Sequence, residues 1–149
     1  MASCRLVFAG ILASAALRAA DPSLAPYSRA EIEPARTSIV VGSVLLSVTP
    51  LDRHGGIYES RYSAKVFPFI FLNEAGKFRI DMPDSSLRSL AAGRPIGFTG
   101  VALRDDGVTR AVDGRAVPMG PSSGMIKVRV FLSSRVILVF DTTYRLAGS

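Results

Sequence analysis

Apolar and polar residues alternate along most of this chain with a period of two. The clearest case is Met125–Tyr144. Ile126, Val128, Val130 and Leu132 share one parity, while Lys127 and Arg129 take the other. Alternation of this kind marks a strand with one buried and one wet face. After Ser133-Ser134 the pattern resumes, with Val136, Leu138 and Phe140 on one face and Ile137 and Val139 on the other. Apolar residues on both parities predict a central strand covered on both sides. β-Branched and aromatic side chains dominate the pair, which favours a pleated surface over a helix.

The same pattern recurs upstream. Thr37–Val48 reads as a first strand, with a bend or close backbone approach at Gly42. Pro50 ends it, and Leu51–Gly56 reads as a connection. Ile57–Val66 places Tyr58, Tyr62, Ala64 and Val66 on the inner face. Phe67–Leu72 contains Pro68, which cannot donate to a ladder and so predicts an edge, a bulge or a bend between sheets. Asn73–Gly76 reads as a turn and Lys77–Met82 as a short strand. One helix is expected, over Pro83–Gly93, with Asp84 as its cap, Leu87, Leu90 and Ala91 as its apolar stripe and Gly93 at its close. Arg94–Arg104 and Val108–Val117 flank Asp105-Asp106-Gly107, a tight hairpin signal, with a bulge expected at Gly114. The sum is an all-β chain: an antiparallel β-sandwich or small β-barrel of about eight strands with one short helix.

The N-terminus departs from this pattern. Arg5 followed by the apolar run Leu6–Leu12 and small residues at Ala13–Ala15 reads as an export signal within residues 1–20, cut between 15 and 20. The run is too short to span a bilayer as a helix. Asp21–Arg36, with Pro22, Pro26 and Pro34, reads as an extended leader into a single β domain over 37–149. Cys4 is the only cysteine, so no intrachain disulfide forms and the core alone must hold the fold. An exported, periplasmic or extracellular protein of bacterial type is therefore expected.

Charge adds little. The net charge is +6, and removing Arg5 and Arg18 leaves 16 basic against 12 acidic residues, scattered rather than in runs. That distribution argues against a nucleic-acid partner.

Catalytic motifs are weak. Gly120–Gly124 (GPSSG) matches the spacing of a nucleophile elbow around Ser122, but a strand rather than a helix follows it. His54 is the only histidine, too few for a metal centre without several carboxylates. Asp105-Asp106 is explained by its turn, Asp84 by its cap, and Ser63 with Lys65 are merely neighbours on one strand face. No cofactor motif is present. Two surfaces remain as candidates. Phe67, Phe69 and Phe71 share a parity and could form an apolar contact. Arg61, Lys65, Lys127 and Arg129 would form an anionic-ligand patch if their two strands were neighbours. The sequence thus predicts a non-enzymatic binding or interaction module, its partner a protein or a small apolar or anionic ligand. An enzyme with an unrecognised site and a small outer-membrane β-barrel are the alternatives, membrane insertion being disfavoured by the short strand, the helix and the charged polar faces.

Overall fold

A computed structural model describes residues 27–148. The predicted export signal, Cys4 and the start of the leader lie outside the described residues. Ten strand segments form one antiparallel sheet that closes on itself as an eight-stranded barrel. Two of the eight strands are each built from two segments. β1 (Arg29–Ile32) and β2 (Ala35–Ile39) are separated by Glu33-Pro34, and β3 (Gly42–Val48) and β4 (Leu51–His54) by Thr49-Pro50. β3 and β4 both lie along the same edge of β5 (Ile57–Phe67), while β2 pairs with β3 and β1 with β4. A proline offers no N–H to the ladder, so each break falls where pairing must lapse.

The remaining strands follow in sequence order: β6 (Glu74–Asp81), β7 (Ile96–Arg104), β8 (Thr109–Pro118), β9 (Ser123–Phe131) and β10 (Ile137–Ala147). Each pairs with its predecessor, and β10 closes the ring on β1, with Arg29 opposite Ala147 and Ile32 opposite Tyr144. Eight strands enclose a lumen just wide enough for side chains to fill. Even-numbered residues on β5 to β10 supply that filling: Tyr58, Tyr62, Phe78, Phe98, Val112, Val128 and Phe140 are all buried.

Close packing needs glycine at two inward positions. Gly114 lies opposite Phe98, whose ring occupies the space that a Cβ there would enter. Tyr144 lies over Gly124 in the same way. The register of β8 runs without interruption on both sides of Gly114, so the bulge expected there is absent. The glycine is instead the seat of an aromatic ring.

One end of the barrel is stoppered. The helix α1 (Asp84–Ala91) joins β6 to β7 and buries Leu87 and Leu90 completely or nearly so. Pro83 rather than Asp84 is the N-cap, and Gly93 takes a positive φ of 79° just past the helix. Asp84 has another partner: its Oδ1 accepts from Arg53 Nη2 at 2.6 Å, and the same guanidinium donates to the Met82 carbonyl at 2.8 and 3.3 Å. Arg53 therefore ties the helix entry to β4.

Several expectations change. Arg29–Ile32, inside the stretch read as leader, is a barrel strand, and Thr37–Val48 is two strands joined by a turn at Val40-Val41. Leu51–His54 is a strand rather than a connection, and Asn73–Gly76 belongs mostly to β6. These segments are short and broken by proline or glycine, so their alternation is too brief to read. β10 is covered on its inner face only: Ile137 and Val139 lie on the outer wall, half-exposed. A barrel has no second layer to cover that side.

Candidate functional site

The other end of the barrel is open. Four connections surround it: the Val40-Val41 turn, residues 68–73, the 105–108 hairpin and residues 132–136. Within them lies a concave mouth of ≈ 930 Å³. Its walls are apolar, from Val44, Ala64, Val66 and Leu138. Its rim is apolar as well. Val40 is fully exposed, and Val41, Ile70, Phe71, Leu72 and Val136 are largely so. Large apolar side chains gathered at loop tips leave an apolar surface in water, which the fold alone does not require.

A charged cluster sits to one side of this mouth. Glu74, Arg104 and Arg110 occupy inward-facing parity positions at the mouth ends of β6, β7 and β8. Arg110 donates to both oxygens of Glu74, Nε to Oε1 at 3.0 Å and Nη2 to Oε2 at 2.8 Å. The Tyr62 hydroxyl, from inside the barrel, donates to Oε1 at 3.1 Å. Arg104 Nη1 lies 3.6 Å from Oε2, and its other guanidinium edge grips Asp106 at 2.7 and 2.6 Å. The side chains of Glu74 and Arg110 are each only 15% exposed, so this pair is well shielded from water.

The electrostatics follow from that packing. Burial pushes the Glu74 carboxyl up, but the hydrogen bonds and charge of Arg110, with help from Tyr62 and Arg104, outweigh it and hold Glu74 below its ordinary value. Glu74 is therefore ionised at neutral pH. Burial, reinforced by the charge of Glu74 and the hydrogen bond to it, pushes Tyr62 up to about 12. Its proton stays in place and is donated to Glu74.

The sequence-predicted residues fall in different places. Phe69 and Phe71 line the mouth and meet edge to face with centroids 5.9 Å apart. Phe67 does not join them, because β5 ends there and its parity turns the ring to the outer wall, 66% exposed. A cis peptide at Phe67-Pro68 and a short 3-10 turn over Ile70–Leu72 replace the single strand that parity suggested. The four basic residues do not form one patch. β5 and β9 lie on opposite sides of the ring, with three strands between them on the β6 side. Arg61 pairs with Asp105, Lys127 with Asp141, and Arg129 with Asp113 at 2.6 Å while stacking on Phe131. Lys65 is exposed on β5.

His54 ends β4 on the exposed surface, and Ser122 lies exposed in the loop before β9. Among the described residues, no three His, Cys, Asp or Glu side chains gather as a metal site. The cluster of Glu74, Arg104 and Arg110 was not singled out from the sequence. Its one signal there was charge at inward parity, visible only once the strand registers are known. No family model, no curated protein and no solved structure matches this chain.

Proposed function

We propose that this protein is an exported binding barrel that takes a small, largely apolar ligand into its open mouth and performs no chemistry on it. The observation that carries this reading is the asymmetry of the two ends. One is sealed by Leu87 and Leu90, while the other leaves an apolar-walled hollow of ≈ 930 Å³ ringed by exposed apolar side chains. Binding sites in small barrels occur at such mouths, combining apolar walls with a few convergent polar groups. Placement outside the cytoplasm rests on the export-type sequence of residues 1–20.

A membrane-spanning barrel asks for the reverse lining, apolar outside and polar within. Here Glu59, Arg61, Lys77, Arg79, Asp113 and Arg129 project from the outer wall, and apolar side chains fill the lumen. An enzymatic role finds no support in His54, exposed at the end of β4, or Ser122, exposed in the loop before β9.

Fluorescence titration with N-phenyl-1-naphthylamine, a neutral apolar probe, tests the proposal. Saturable enhancement is expected, weakened several-fold in Phe71→Ser. Phe71 is 79% exposed, so that substitution should leave stability within about 0.5 kcal/mol. Absence of saturable enhancement, or enhancement that Phe71→Ser and Val41→Ser both leave untouched, would refute mouth binding.

A further inference from the structure

The charged cluster in the mouth adds a chemical constraint on the ligand. Glu74 is saturated: Oε1 accepts from Tyr62 and Arg110, and Oε2 accepts from Arg110 with Arg104 close by. It has little left to offer a ligand donor. The guanidinium groups are different. Each carries five N–H donors. Arg110 gives two of its own to Glu74, and Arg104 gives two to Asp106 and turns Nη1 toward Glu74 at 3.6 Å. The remaining N–H groups belong to side chains that line the hollow. Asn73 lines it too, with its Oδ1 already accepting from the Val66 N–H at 2.7 Å, which leaves its amide NH₂ as a further donor.

Charge selects among acceptors. The two cations of the cluster, Arg104 and Arg110, are balanced by two anions, Glu74 and Asp106. Asp105 at the rim is matched by Arg61. A ligand carboxylate placed against the shielded Glu74–Arg110 pair would be an unbalanced charge, desolvated without a free counter-ion. An ammonium would meet donors instead of acceptors. An uncharged oxygen suits both conditions, accepting the spare N–H groups while leaving the charge balance intact.

Resting on the binding role proposed above, we propose that the ligand is an amphipathic molecule whose apolar body lies against Val44, Val66 and Leu138 and whose uncharged acceptor oxygen, of ketone, ester or amide type, is held by Arg104 and Arg110. The cluster is then the selectivity element of the mouth, and the rim supplies affinity without discrimination.

The test is displacement of N-phenyl-1-naphthylamine from the full chain by an octyl series: octane, octyl acetate, octanoate and octylamine. Octyl acetate should displace the probe at a concentration about tenfold lower than octane, the worth of one hydrogen bond to a charged donor. Octanoate and octylamine should be no better than octane. In Glu74→Gln/Arg110→Met, which removes one of the two guanidinium groups, the advantage of the ester over octane should shrink, each displacement being read against that variant's own probe affinity. Probe binding with equal displacement by octane and octyl acetate overturns this inference and leaves the binding role standing. Tighter binding of octanoate or octylamine than of the ester also overturns it. A wild-type protein that binds no probe overturns both. The wild-type series decides the matter even where the double variant fails to fold.

Discussion

Gly114 and Gly97 lie on adjacent strands, and the same substitution should have opposite outcomes at the two. A Cβ added at Gly114 would sit 2.2 Å from the Lys127 carbonyl oxygen and 2.4 Å from Cζ of Phe98. Neither separation is tolerable, and one of the two obstacles is backbone. β8 and β9 must move apart, and Phe98, only 6% exposed, must leave its seat. Overpacking of a tight core costs about 1–3 kcal/mol. Partial loss of the burial of one phenylalanine adds a share of its ~1.5–3 kcal/mol. Gly114→Ala should therefore destabilise the barrel by roughly 2–4 kcal/mol, a large fraction of the ~5–15 kcal/mol typical of a domain. At Gly97 the nearest atom to an added Cβ is the Gly114 carbonyl oxygen at 3.8 Å, an ordinary contact. Gly97→Ala should be neutral or stabilise by up to ~1 kcal/mol, because alanine narrows the unfolded ensemble. Urea denaturation followed by far-UV circular dichroism gives both values. Adding Phe98→Leu to Gly114→Ala should recover the part due to the ring and leave the part due to the Lys127 carbonyl. Gly114→Ala within 0.5 kcal/mol of wild type, or a loss at Gly97 equal to that at Gly114, would contradict the packing described.

Three further outcomes are expected. Leu87→Ala should cost about 2–5 kcal/mol in the same assay, since that side chain is fully buried in the stopper and its removal leaves a cavity. Arg53→Met should cost about 1–3 kcal/mol by stripping the Met82 carbonyl of its side-chain donors, whereas Asp84→Asn should cost less than about 1 kcal/mol because that carboxylate is 55% exposed. Stability should also fall at high pH: burial holds Tyr58 and Tyr62 up at about 12 against an ordinary 10.0, so their contribution is complete below pH 10 and is lost as pH rises through 12. For Tyr58 the loss is on the order of 2–3 kcal/mol at full ionisation, and a flat denaturation midpoint from pH 9 to 12 would contradict it. Glu74 acts in the other direction, its contribution being present above its ordinary value of 4.5 and lost as pH falls through its lowered one.

Long strands were legible in the sequence because alternation persisted over enough residues to be read. β5, β7, β8, β9 and β10 stand close to their expected bounds, with Tyr58, Tyr62 and Phe140 inside. The helix was legible too, from Leu87 and Leu90 at helical spacing before Gly93. Short strands were not. Arg29–Ile32 and Leu51–His54 each offer four residues, and their strand character comes from the neighbours that pair with them. Asp84 departs from its expected role for a related reason: a carboxylate at a helix start suggests a cap, and only the tertiary fold brings Arg53 to it. The mouth was hidden for a geometric reason. Glu74, Arg104 and Arg110 are separated by up to 36 residues, and only strand registry around a closed ring gathers them. Phe69 and Phe71 stand out in the sequence as apolar residues, and their position at the rim follows from the turn after Pro68 rather than from strand parity.

The seam between β1 and β10 has a consequence for how this molecule comes into being. All other pairings join strands close along the chain, but Arg29 meets Ala147 across nearly the whole domain. Without β10 the sheet would be a curled ribbon with two bare borders, each able to recruit a foreign strand. Clipping or mutating that last strand would not merely shorten the protein. It would return the ribbon to its sticky, unfinished form, and aggregation rather than loss of a contact would be the first symptom.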